Sequence, residues 1–223
     1  SVPALYVQVQ TILSLYASGR TTGVVLDCGD GVTNAVPVYE GFALPHAVQR
    51  MDVAGRDVDE YLQRLLRKSG HNFHTSAEMQ VVKSIKENVC FVGFNIEKLE
   101  NGVFEDMDTK EPYKLPDGNT IQIGPEKFRA AEVLFNPTLI GTEYPGVHQV
   151  LVNSIARCDL DLRRNLFSDI ILSGGECFGL SCVCSVVSAI FALLMNLNWA
   201  GCNEPHLTRV CFLPPPPCRF YHV

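Results

Sequence analysis

An apolar run that stops on a carboxylate and then turns through glycines constrains this chain most. Thr22 to Asp27 (TGVVLD) has the aliphatic residues of a short buried strand, Cys28-Gly29-Asp30-Gly31 follows, and Val32 to Tyr39 resumes with alternating character. These residues predict strand, glycine turn, strand. Asp169 to Leu172 (DIIL) reads as another short buried strand and runs into Ser173-Gly174-Gly175. Each of these apolar strands thus ends in a glycine turn where backbone can approach another group closely.

Helices fill the intervals. Residues 4 to 18 are apolar with helix-forming residues, and Gly19 supplies a stop. Over Gly55 to Ser69, Val58, Tyr61, Leu62, Leu65 and Leu66 fall on one helical face, and Gly70 closes the segment. Thr75-Ser76-Ala77-Glu78 has the capping-box spacing, and Met79, Val82, Ile85, Lys86 and Val89 carry a second helix. Asp117-Gly118-Asn119 between YKL and TIQI predicts a hairpin, Pro125 opens a helix through Phe135, and Val147 to Arg157 and Leu160 to Phe167 predict two more. Strands and helices in mixture, with glycines at strand ends, describe an α/β fold.

Composition agrees and excludes alternatives. Of 223 residues 47% are hydrophobic, so a core is available and a disordered chain is ruled out. Lys and Arg number 18 against 24 Asp and Glu, a net charge of -6 that gives no basic field for nucleic acid. Residues 176–223 differ from the rest. Their only charges are Glu176, Glu204, Arg209 and Arg219, and they hold six of the nine cysteines, whereas Cys28, Cys90 and Cys158 are scattered as buried intracellular thiols would be. Ser1-Val2-Pro3 has neither a basic start nor an apolar run, so no secretory signal is expected, and the missing initiator Met suggests that the sequence begins inside something longer.

Several residues are candidates for chemistry. A carboxylate such as Asp27, at the mouth of a glycine turn, suits a Mg²⁺-bound water or an attacking water, and main-chain N–H groups there suit an anion. Taken alone, the pentapeptide also suits an ordinary Gly-Asp turn, the commoner use of these residues. Gly174-Gly175 reads equally as a plain strand exit, Gly55-Arg56-Asp57 as a plain helix start, and Lys86-Glu87 as a solvated pair.

Their order along the chain is more specific. Leu13 to Gly23 (LSLYASGRTTG), Asp27 to Thr33 (DCGDGVT), Val36 to Gly41 (VPVYEG), Ala54 to Asp57 (AGRD), Ile85 to Glu87 (IKE), Asp161 to Arg164 (DLRR) and Leu172 to Gly175 (LSGG) closely resemble the actin family. The resemblance runs from about Val2 to Gly175. Within the family, VPAL near the start, Gly124-Pro125 with Phe128-Arg129-Ala130, and Asp159 to Arg164 are most similar to the centractin branch, whose members build the dynactin filament.

The resemblance implies a partial actin-like (ribonuclease H-like) ATPase fold, mainly the larger lobe: residues 1–53 with 143–175 as its core and 54–142 as an inserted subdomain. It implies ATP or ADP with Mg²⁺. Asp27 would hold the metal's water shell, and Gln10 would position the hydrolytic water. Cys28, Gly29, Asp30, Gly31 and Val32 form a phosphate hairpin in which Asp30 reaches the ribose. Gly55, Arg56, Lys86 and Glu87 would line ribose and adenine, and Gly174 and Gly175 the adenosine turn. Asn34 stands where the family usually has a histidine, and an amide does not titrate near neutral pH. The family's first phosphate hairpin, its β-phosphate lysine and another carboxylate of the Mg²⁺ shell are absent, so this chain is expected to be catalytically incomplete although its parent would hydrolyse ATP.

Implied partners are like subunits in a filament, with Leu139, Ile140 and Tyr144 of the Asn136–Gly146 loop as a modest apolar patch, and dynactin components; cytoplasm and cytoskeleton are the implied location. Alternatives are a conventional actin or another actin-related protein, a sugar kinase or chaperone-type ATPase of the same fold, and a membrane-tethered, non-polymerising variant. The last would use the uncharged stretch from Cys177 to Asn203, which serines and asparagines dilute, so a membrane span is disfavoured. Cys182, Cys184, Cys202 and His206 fit no strong zinc spacing, and Pro214 to Pro217 make a short polyproline stretch. Residues 176–223 are expected to be disordered or artefactual.

Overall fold

A computed structural model describes residues 2–93, 111–175 and 211–212. Its centre is a mixed sheet. Strand β1 (Gly23–Cys28) pairs antiparallel with β2 (Thr33–Tyr39), whose other edge takes two short strands, β3 (Phe42–Ala43) and β4 (Gln49–Met51). The predicted hairpin is therefore present, with Asp27 opposite Asn34 and Cys28 opposite Thr33.

On its far side β1 runs parallel to β7 (Ile170–Ser173), with Asp27 beside Ser173. Both glycine turns thus leave the same edge of the sheet, at the carboxyl ends of parallel strands. The backbone of β8 (Cys211–Phe212) continues the sheet parallel to β7. The membrane, zinc and polyproline readings, and the expectation of disorder over the rest of 176–223, lie outside the described residues.

Helix α1 covers one face of the sheet, with Ile12 and Leu15 against Val25, Val36, Val38 and Ile171. It spans Gln10–Ala17, shorter than the predicted 4 to 18. Residues 2–9 form neither helix nor strand, since Tyr6, Val7 and Val9 are weak helix formers, and most of their side chains are exposed. Gly19 ends the helix at φ +76°, as expected.

The opposite face carries the larger core. Helices α5 (Val147–Ala156) and α6 (Leu160–Ser168) pack on it through Val150, Leu151, Ile155 and Leu166. The core continues without a break into α2 (Gly55–Lys68) and α3 (Ser76–Val89) through Val58, Leu62, Leu66, Val82 and Ile85.

The predicted capping box opens α3: Thr75 Oγ1 accepts from Glu78 N at 3.2 Å, and Glu78 Oε2 accepts from Thr75 N at 2.8 Å. Strands β5 (Glu111–Lys114) and β6 (Thr120–Ile123) form the expected hairpin around Gly118. The helix predicted from Pro125 to Phe135 breaks into α4 (Glu126–Arg129) and a 3₁₀ turn, Ala131–Leu134. Phe128, Ala130, Ala131, Val133 and Leu134 are all buried, so no single helical stripe suffices and the chain tightens to bury consecutive residues. Cys28 and Cys158 are buried and Cys90 is half-buried, all three as free thiols; burial pushes Cys90 up to about 12.

Candidate functional site

Side chains alternate across a strand, so Asp27, Asn34 and Ser173 share the face that α1 covers. The first turn of α1 reaches them. Gln10 Nε2 donates to Asp27 Oδ2 at 3.2 Å, and one turn later the Ser14 and Ser173 hydroxyls meet at 3.1 Å. Asp27 is 7% exposed. Among the described residues its Oδ1 is buried and has no hydrogen-bond partner. A buried carboxylate oxygen with no donor is costly, and an ordered water or a bound ion would satisfy it.

Cys28 ends β1 with its thiol in the larger core, so it offers the site main chain and not sulfur. The turn closes through Gly29 N donating to the Val32 carbonyl at 3.0 Å. Gly174, at φ +109°, packs so tightly that a Cβ there would collide with the Cys28 carbonyl. The two glycine turns, far apart in sequence, therefore touch. Gly175 is exposed beyond them.

The start of α2 locks onto the hairpin. Gly55 N donates to Gly29 O at 3.1 Å and Arg56 N to Asp30 O at 2.8 Å. Arg56 also donates from Nη2 to Asp30 Oδ2 at 3.0 Å, and Lys83 Nζ stands 3.7 Å from Asp30 Oδ1. The Arg56 hydrogen bond, with the Lys83 and Arg56 charges, holds the Asp30 carboxyl below its usual range. An exposed carboxylate between two cations is oriented yet reachable by water or a ligand hydroxyl.

Lys86 behaves differently from the other predicted residues. It is 1% exposed, and its ammonium donates to Gly55 O at 3.1 Å and pairs with Asp59 at 2.9 Å. Burial pushes the Asp59 carboxyl up while the Lys86 ammonium opposes it. Glu87, next along α3, is exposed. Sequence reasoning did not single out Ser14, Ser173, Asp59 or Lys83. A signal existed for Asp59, which falls on the Val58–Leu62–Leu66 face of α2, where a charge is out of place.

The actin family model matches residues 1–179. The chain belongs to the actin family. It is 62% identical over 179 residues to an "Actin-like protein" of Neurospora crassa, a match covering 79% of this chain and 47% of that relative. The chain thus spans about half the length of the curated relative it matches. The family match ends four residues beyond Gly175, and the mixed sheet with its helices is the actin-like ATPase fold in part.

In this actin-family chain the donor set fits a hydrated Mg²⁺ ion: a hard carboxylate oxygen, buried and without a donor, beside a glutamine amide. The glycine turns bring main chain to the same edge with little side-chain cover. Among the described residues no His, Cys, Asp and Glu cluster is suited to hold a metal by direct ligation alone, and no helix is long and apolar enough to cross a membrane. Leu139 and Tyr144 are 42% and 41% exposed, whereas Ile140 packs against the core, so the loop patch is smaller than the sequence predicts.

Proposed function

We propose that this chain supplies one side of an ATP–Mg²⁺ site in a cytoskeletal, filament-forming actin-related protein of the centractin type. The observation that carries the reading is the unpartnered Asp27 Oδ1, buried where two glycine turns meet. A Mg²⁺ ion held at Asp27 would supply positive charge that offsets the charge of the phosphates. Asp27 would hold the metal's water shell and Gln10 would orient a water beside it. Main chain at Gly29 to Val32 and at Gly174-Gly175 would approach the nucleotide, and Asp30 would accept from the ribose.

Phosphoryl transfer depends on groups on both sides of the phosphates, and half a clamp supports little catalysis. The isolated chain therefore binds ATP weakly and turns none over. Asn34, on the same face as Asp27, offers hydrogen bonds but no titrating base, which favours slow hydrolysis in the whole protein as well. Like subunits and dynactin components are the proposed partners, through the Leu139 and Tyr144 patch, and cytoplasm and cytoskeleton the proposed location. Calorimetric titration of residues 1–223 with Mg-ATP, alongside a phosphate-release assay, tests this. Affinity weaker than about micromolar with no phosphate release is expected; micromolar binding with turnover refutes the one-sided site.

A further inference from the structure

We infer that Lys86 and Asp59 form a buried positioning pair that sets the ribose side of the site through backbone. The inference rests on the ATP reading above for its ligand, and on geometry alone for the positioning.

Gly55 and Asp59 are one helical turn apart on α2 and so share a face. Lys86 enters from α3 and joins them, with its Nζ 3.1 Å from the Gly55 carbonyl and 2.9 Å from Asp59 Oδ1. The next contacts outward are the two main-chain bonds from Gly55 N and Arg56 N to Gly29 O and Asp30 O. The chain of contacts runs Asp59, Lys86, Gly55–Arg56, Gly29–Asp30, and it ends on the carboxylate proposed to meet the ribose. Lys83, one turn earlier on α3, reaches the same carboxylate directly at 3.7 Å. Helix α3 thus grips the hairpin rim twice, once through a side chain and once through α2.

Burial explains why a pair is needed. An ammonium at 1% exposure requires a counter-charge, and Asp59 is the carboxylate that pairs with it. With Asp59 present, Lys86 holds the peptide of Gly55 at fixed distance, and the N-terminus of α2 stays seated on the turn.

Amide hydrogen exchange on residues 1–223 tests the positioning without any nucleotide. In Lys86→Met/Asp59→Leu, which leaves no lone buried charge, the Gly55 and Arg56 amides exchange on the order of tenfold faster, while Val25 and Leu26 in β1 change less than about twofold. Asp59→Asn is the second variant, in case the first does not fold. It keeps an acceptor for Lys86 and speeds the same two amides by about threefold, whereas Asp59→Glu, which keeps the carboxylate, preserves their protection. Unchanged Gly55 and Arg56 exchange in a folded variant overturns the inference, as does uniform acceleration that includes β1 in Asp59→Asn.

A second measurement separates positioning from general damage. NMR titration with Mg-ATP and Mg-2′,3′-dideoxy-ATP gives a preference for the ribose hydroxyls in wild type, and Asp59→Asn lowers that preference at least about threefold with little change for the dideoxy nucleotide. Equal losses for both nucleotides overturn it. If wild type binds neither, the ATP reading fails, and the exchange result still decides the positioning.

Discussion

Glu132 gives a direct test of how burial controls stability here. It lies in the 3₁₀ turn between the buried Ala131 and Val133, half-buried itself, and burial alone pushes its carboxyl from an ordinary 4.5 to about 7. Among the described residues no cation or hydrogen-bond donor offsets this. The folded chain therefore holds a proton up to about pH 7, whereas the unfolded chain releases it near 4.5. Stability from this group falls as pH rises from 4.5 to about 7, and the penalty is complete above that.

At 1.36 kcal/mol per pH unit the full rise corresponds to about 3.4 kcal/mol, and screening by the water that reaches a half-buried carboxylate leaves about 1–2 kcal/mol. Glu132→Gln removes the ionisation and keeps the shape. In urea unfolding of residues 1–223, the variant is more stable than wild type by about 1–2 kcal/mol at pH 8, and the gap shrinks toward zero as pH is lowered to 4.5. A gap that does not vary with pH, or a variant less stable at pH 8, refutes the reasoning.

Gly174→Ala places a methyl group against the Cys28 carbonyl at a backbone angle that L side chains avoid, and it costs at least about 2 kcal/mol in the same urea assay. Gly175→Ala, with open space around it, is the control and costs far less. Asn34→His puts an imidazole opposite Asp27, where the unpartnered Oδ1 raises its pKa above the usual 6.5, as read by NMR titration. The stability gained is present below pH 6.5 and lost as pH rises through the raised pKa; an imidazole titrating at or below 6.5 refutes it.

Local chemistry made much of the fold legible. The β1–β2 turn, the Thr75–Glu78 capping box, the Gly118 hairpin and the Gly19 stop all depend on residues within a few positions of one another. What was hidden depends on distance. The Ser14–Ser173 contact joins residues 159 apart, and no periodicity specifies that β7 lies parallel to β1 with Ser173 beside Asp27. Residues 4–9 are apolar without an amphipathic stripe, and among the described residues little covers them, so apolar content there does not make a helix.

Lys86 was the least legible site residue. A lysine beside a glutamate late in a helix reads as a solvated pair, yet Lys86 sits on the Val82–Ile85–Val89 face of α3 just as Asp59 sits on the apolar face of α2. Two opposite charges, each interrupting the buried stripe of its own helix, are the sequence signature of a cross-helix ion pair. That pattern is visible only when the two helices are read together.

Among the described residues, the groups of the proposed site all approach from one side. Asp27, Asn34 and Ser173 are presented on a single face of the sheet, α1 closes over it from that face, and the Asp30 rim is held from α2 and α3. These groups converge on the carboxyl ends of β1 and β7 from the direction of this chain alone. In the proposed site a triphosphate would meet main chain and one carboxylate from the described residues, and any oxygen left facing water at high dielectric would gain little charge stabilisation. In the proposed site, affinity and hydrolysis therefore depend on a second set of groups closing from the opposite side, and residues such as Lys86 and Asp59 matter because they fix the jaw against which that closure would act.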